Sequence, residues 1–195
     1  KQVCSAMEEA HTRGIIHRDL KPENIMVEQK RNERDFVKVL DFGIAKILDP
    51  SSERRDTFHT VAGVICGTPE YMSPEQARGE VLDARSDLYA CGVILYQLMT
   101  NTLPFTAETA IGVITKHLTE EALPPRKLNP SIHPLFEQLI KRLLSKKRDE
   151  RPESAAALRV ELEKIETQTT IPVATDKLLK SEQLTAEDTS SLRSR

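Results

Sequence analysis

Apolar positions along the chain fall into stripes at helical spacing and into short β-branched runs. Val3, Met7 and Ala10 form a stripe at helical spacing, and Gly14 follows as a residue free to adopt the positive φ that ends many helices. Residues 25–27 and 36–40 are short and rich in β-branched side chains, and the polar run 28–35 lies between them, which predicts two strands joined by a long solvated turn. Residues 47–67 are rich in Thr, Ser, Arg and Asp and lack periodicity, so they read as a long loop, and loops of that length are usually functional or disordered.

The second half is helical in pattern. Residues 87–100 carry Leu88, Tyr89, Ala90, Cys91, Val93, Ile94, Leu95, Tyr96, Leu98 and Met99, apolar on nearly every face, which predicts a central buried helix with both tyrosines in the core. Leu135, Phe136, Leu139, Ile140, Leu143 and Leu144 make a one-sided stripe that runs into Lys146, Lys147 and Arg148, as expected of a surface helix with cations at its C-terminal end. Ser154 suits an N-cap, and Leu158, Leu162 and Ile165 mark a last amphipathic helix. The pattern fades after Glu166. Residues 167–195, without an aromatic side chain, read as a flexible linker or tail, leaving 1–166 as the folded domain.

Composition narrows the function classes. The 195 residues suit one domain plus a tail, and 38% hydrophobic with 30% charged residues suits a globular chain with a solvated surface. Lys and Arg total 28 against 30 Asp and Glu, so a net charge of −2 gives no electrostatic reason to bind nucleic acid. Cys4, Cys66 and Cys91 are widely separated and odd in number, which fits a reducing, cytoplasmic compartment better than a zinc site or disulfide framework. The longest apolar stretch falls short of the roughly 20 residues that span a bilayer, so no membrane insertion is expected within this segment. The chain begins with Lys1 inside a predicted helix, as a piece of something longer would.

Three strings carry chemistry: His17, Arg18, Asp19, Leu20, Lys21, Pro22, Glu23, Asn24; then Asp41, Phe42, Gly43; then Gly67, Thr68, Pro69, Glu70, Tyr71, Met72, Ser73, Pro74, Glu75. In this order they resemble the catalytic loop, the metal-binding D-F-G and the P+1 and A-P-E segments of eukaryotic-like (Hanks-type) serine/threonine protein kinases. The resemblance covers residues 1–166, and the phrase 73–89 is most similar to the bacterial members.

That resemblance implies a mainly α fold: the helical C-terminal lobe of the α+β protein kinase fold, with a short β-hairpin at the cleft. It also implies ATP and Mg²⁺ as cofactors and protein Ser/Thr hydroxyls as acceptors. Asp19 would accept the acceptor's hydroxyl proton, since an ionised carboxylate is acceptor-only. Asn24 and Asp41 would supply oxygens to Mg²⁺, a cation that keeps several waters and takes few protein ligands. Lys21 would place its charge beside the γ-phosphate, Thr68 would sit in the P+1 segment, and Met26 would form part of the floor under adenine. His17 is implied to be structural, packing under the loop, with Phe42 as a core or spine aromatic.

Arg18 marks kinases whose loop arginine pairs with a phosphorylated activation-segment residue, and Thr60, in preference to Thr57, is the implied phosphosite. Glu75 and Arg151 are implied to pair structurally. Asp87 is implied to accept backbone hydrogen bonds from the catalytic loop, with a simple N-cap as the alternative. The Gly-rich phosphate loop and the V-A-I-K-type lysine of the family do not occur in these residues, so the N-terminal β-rich lobe is expected upstream and the 195 residues alone are expected to be inactive. The parent protein would be cytoplasmic, with a membrane anchor beyond the linker, and a second copy would be a partner for autophosphorylation. Two other readings stand beside this one: a non-catalytic kinase-like interaction module, and a small-molecule phosphotransferase.

Overall fold

The structure is a computed structural model that describes residues 1–29, 35–42 and 68–169. Residues 30–34, 43–67, which hold Thr57, Thr60 and Cys66, and 170–195 lie outside the described residues, and with them the expected long loop and tail. Lys1–Glu163 forms one compact unit, and Lys164–Arg195 is a second unit of which only the end of the last helix is described.

Helix α1 spans Gln2–Thr12 and buries Cys4, Met7 and Ala10. Cys4 takes the deep position that the sequence pattern assigned to Val3, which is only partly covered. The helix stops at Gly14, whose φ of +74° lets its own N–H reach His11 O while the Ile15 N–H reaches Ala10 O, both at 3.0 Å. These two bonds satisfy carbonyls that a helix end would otherwise leave unpaired. Strands β1 (Ile25–Glu28) and β2 (Phe36–Val39) pair antiparallel, with Ile25 opposite Val39 and Glu28 opposite Phe36. Gln2 ties α1 to this hairpin, donating to Asp35 O and accepting from the Val37 N–H.

The chain then becomes helical. Helix α2 (Pro74–Arg78) opens on a capping box between Ser73 and Gln76 and closes on Gly79 at φ +67°. Helix α3 (Ala84–Thr100) is capped by Asp83, and ten of its residues from Ser86 to Tyr96 are buried. It is the central helix that the continuous apolar pattern predicts, longer by three residues at its N-terminus. Helices α4 (Ala110–Thr119), α5 (Pro125–Leu128), α6 (Pro134–Leu143) and α7 (Ala155–Thr169) follow, and Ser154 caps α7 through the Ala157 N–H. Among the described residues the architecture is therefore mainly α with one two-stranded hairpin, the fold class implied by the resemblance. No described helix is long and apolar enough to cross a membrane.

Two contacts fix how these helices pack. At Gly92 on α3, an added Cβ would lie 2.6 Å from Leu143 Cβ on α6, closer than real side chains approach. At the other, Arg151, on the chain between α6 and α7, grips Glu75 of α2 through two bonds, Nη1 to Oε1 at 2.7 Å and Nη2 to Oε2 at 2.9 Å. Arg151 also donates to Arg85 O and Ser145 O, and the Ser86 hydroxyl donates to Glu75 Oε1, so the buried pair has its remaining hydrogen-bonding groups occupied. Burial alone would raise the Glu75 carboxyl, but the bonds and charge of Arg151, with Ser86, outweigh it and hold the group below the usual range.

Gly92→Ala is expected to lower stability by about 1–3 kcal/mol through overpacking, despite a better helix propensity worth up to about 1 kcal/mol, measured by denaturant unfolding. Arg151→Ala is expected to cost about 3–5 kcal/mol, because it leaves a buried carboxylate unpaired. Since the folded Glu75 value is depressed, its contribution is complete above the ordinary Glu value of about 4.3 and is lost as pH falls through the lower folded value. A melting temperature of the Glu75→Gln variant that still falls as steeply between pH 5 and 3 as that of the parent would contradict this.

Candidate active site

The chain leaving α1 crosses the first turn of α3, and one carboxylate organises the crossing. Asp87 Oδ2 accepts the His17 N–H at 2.8 Å, and Oδ1 accepts the Arg18 N–H at 2.9 Å. His11 Nε2 lies 2.8 Å from the same Oδ2, so three groups from two segments converge on Asp87. Asp87 is 2% exposed and sits one turn inside α3, while the cap position belongs to Asp83. Arg18 takes a φ of +67°, a left-handed conformation that costs a non-glycine residue about 1–2 kcal/mol. Its amide is held by Asp87 and its carbonyl accepts from Gln76 Nε2 at 2.7 Å, so both flanking peptide groups are fixed from outside the loop.

His17 is fully buried and couples this loop to the segment after β2. Its Nε2 donates to Leu40 O at 2.8 Å, its Nδ1 faces the Asp19 N–H at 3.4 Å, and its ring packs on Phe42 at 4.8 Å between centroids. A carbonyl on one side and an amide N–H on the other assign the proton to Nε2. Asn24, in the short turn Pro22–Asn24, adds a second tie, since its backbone oxygen accepts the Leu40 N–H at 2.8 Å. Both peptide groups of Leu40 are thereby anchored just before Asp41, which also takes a positive φ of 53°.

The side chains at the cleft form a short chain of contacts. Lys21 Nζ lies 3.0 Å from Asp19 Oδ2 and donates to Thr68 Oγ1 at 3.0 Å. The Asp19 carboxylate remains half exposed, in reach of an incoming group, while Lys21 is mostly covered. Asn24 donates its Nδ2 to Asp19 O at 2.8 Å, which commits the amide nitrogen and leaves Oδ1 as the available atom. The exposed Asp41 carboxylate makes no hydrogen bond or ion pair among the described residues. Two free oxygens of this kind suit Mg²⁺, which prefers hard oxygen donors and completes its shell with water and phosphate. Met26 lies on β1 opposite Lys38, about half exposed.

The structure therefore brings together Asp19, Lys21, Asn24 and Thr68 by direct contact, and holds Asp41 through Leu40. Arg18 is part of the same loop, and Thr57 and Thr60 are outside the described residues. Two contributors escape the sequence reading: His11, which braces Asp87, and Gln76, which serves both the α2 capping box and Arg18 O. His11 had a legible signal, for Cys4, Met7 and His11 at i, i+3 and i+7 share one helix face.

Asp87→Asn is expected to lower stability by about 1–3 kcal/mol, because an amide NH₂ replaces an acceptor facing a buried N–H. Amide hydrogen exchange at His17 and Arg18 should accelerate more than at α6, and unchanged exchange there would remove Asp87 as the loop's anchor.

Comparison with known proteins agrees with the geometry. The protein kinase domain family model matches residues 1–162. The chain is 61% identical over 167 residues to the serine/threonine-protein kinase Pkn3 of Myxococcus xanthus, covering 85% of this chain and 30% of that protein. It is 48% identical to Pkn1 of the same organism over 81% of this chain and 22% of that protein, and 39% identical to PknB of Mycolicibacterium smegmatis over 82% and 24%. The chain thus spans less than a third of the length of these relatives. The strings at Asp19, Asp41 and Glu75, the helical unit that carries them and the extent of the match agree: this chain belongs to the protein kinase family, on its bacterial Hanks-type serine/threonine branch.

Proposed function

We propose that this chain forms the catalytic-loop face of an ATP-dependent kinase that transfers the γ-phosphoryl group to Ser or Thr hydroxyls of proteins in bacterial signalling. The observation that carries the reading is the contact chain from the half-exposed Asp19 carboxylate through Lys21 Nζ to the Thr68 hydroxyl. Asp19 is the catalytic residue, oriented to accept the acceptor's hydroxyl proton. Lys21 bridges Asp19 and the Thr68 segment and brings a fixed positive charge to the point where negative charge moves. Asn24 Oδ1 and Asp41 hold Mg²⁺, which when bound neutralises phosphate charge, and Met26 contributes to the adenine floor. Thr68 belongs to the segment that receives the protein substrate.

Phosphorylation at Thr60, with Thr57 second, pairs with Arg18 and orders the segment, and a second copy of the protein acts as the partner in that reaction. The cysteine spacing supports work in the cytoplasm. These 195 residues contain no G-x-G-x-x-G string, so phosphate cover comes from other sequence and the isolated chain has negligible activity.

In the full-length protein, Asp19→Asn is expected to lower phosphate transfer from labelled ATP to a Ser/Thr protein acceptor by about 10²–10⁴-fold with little change in the KM for ATP, as loss of a general base does. Transfer within threefold of the parent would refute the assignment of Asp19.

A further inference from the structure

The turn Pro69–Tyr71 continues the segment that the kinase reading assigns to the protein acceptor, and its carbonyls are used unevenly. Thr68 O accepts the Tyr71 N–H at 3.4 Å and Pro69 O accepts the Met72 N–H at 3.3 Å, whereas Glu70 O accepts no hydrogen bond from the described residues. Tyr71 is held from α3, its hydroxyl donating to Gln97 Oε1 at 2.7 Å. Helix α4 packs against the same turn and against α2.

The last turn of α4 carries His117, fully buried and unused by the chemistry proposed above. Its ring lies edge-on to Phe105 at 4.8 Å between centroids and 5.6 Å from the ring of Tyr89 on α3. Nδ1 is 2.8 Å from the Tyr89 hydroxyl, which has no other hydrogen-bond partner among the described residues. Burial raises Tyr89, so the phenol keeps its proton near neutral pH and donates it to Nδ1. The proton of the neutral imidazole then sits on Nε2, since the opposite tautomer would leave the phenol O–H stranded as well. Burial, and after it the Lys146 charge, lower the ring to about 4, while the Glu70 main chain pulls the other way. Yet Nε2 is buried without a hydrogen-bond partner. A buried donor left unpaired is rare and calls for a reason. Here an unpaired N–H on α4 faces a turn that has an unpaired carbonyl.

We propose that His117 is a positioning residue for the acceptor-binding segment, its Nε2–H closing on Glu70 O as a protein acceptor settles against the Thr68 turn. The inference rests on the kinase reading and extends it to how the acceptor is held. A hydrogen bond left unmade in the free protein and made in the complex adds to affinity for the acceptor alone. ATP, bound on the side of Asn24 and Asp41, gains nothing from it. The turn is then held from two helices, at Tyr71 by Gln97 of α3 and at Glu70 by His117 of α4. Tyr89 fixes the tautomer that makes the second hold work.

The test is steady-state transfer of labelled phosphate from ATP to a Ser/Thr protein acceptor by the full-length protein, with KM measured for each substrate. His117→Asn keeps a polar group at the place of Nδ1 and has none at Nε2, whereas His117→Gln carries its amide N–H out to the place of Nε2. The Asn variant is expected to raise the acceptor KM about three- to tenfold, the loss of one neutral hydrogen bond, with kcat and the KM for ATP within about twofold of the parent. The Gln variant is expected to keep all three within about twofold. If His117→Asn does not fold, His117→Phe, which retains a ring between Phe105 and Tyr89, takes its place with the same expectation. An acceptor KM that rises equally in both variants makes the role one of packing and overturns the proposal. An acceptor KM that moves in neither shows the N–H idle or met by water, and overturns it while the kinase reading stands. A parent protein that phosphorylates no protein acceptor sinks both.

Discussion

Everything at the cleft depends on a carboxylate that does no chemistry. Asp87 holds two consecutive amides of the catalytic loop, and those bonds stabilise a left-handed Arg18 that would otherwise relax. The strain has a geometric result: a reversal of the backbone at Arg18 turns the next residue, Asp19, outward while His17 stays buried beneath. Helix α3 can supply so rigid a reference point because its first turns are buried among apolar neighbours and Gly92 lets α6 close upon it. Precision at the surface is thus inherited from packing in the interior.

A second ionic contact fixes the segment that follows Thr68. Through Glu75 and Arg151, α2 is tied to the chain after α6, and through Gln76 the same short helix reaches Arg18 O. A helix of five residues is too short to be stable alone. Its position comes from a buried bidentate pair at one residue and a capping box at the next, so the segment beginning at Thr68 is positioned by groups that are far away in sequence.

Much of this was legible beforehand, and the omissions have physical causes. The continuous apolar run of α3 and the one-sided stripe of α6 identify those helices, and the short β-branched runs on either side of a polar stretch identify the hairpin. Helix α4 is obscured by Gly112, Thr115 and Thr119, poor helix formers whose helix is specified by a Thr109 cap and by burial of Val113 and His117. Motif strings single out Asp19, Lys21, Asn24 and Asp41 because the proposed phosphoryl transfer calls for those atoms at that spacing. His11 and Gln76 have no such string: the face that Cys4, Met7 and His11 share turns His11 inward, but its partner Asp87, 76 residues away, and the bond from Gln76 to Arg18 O are set only when α1, α2 and α3 are folded together.

The tie between the catalytic loop and the segment of Asp41 runs through His17 and the main chain of Asn24 and Leu40. The Asp19 carboxylate itself touches only Lys21 among the described residues. Shape and chemistry are therefore carried by different atoms. A lineage could exchange the Asp19 carboxylate by a single base change and keep the backbone ties that shape this surface, so a protein of the proposed kinase type lies one short evolutionary step from one that only binds.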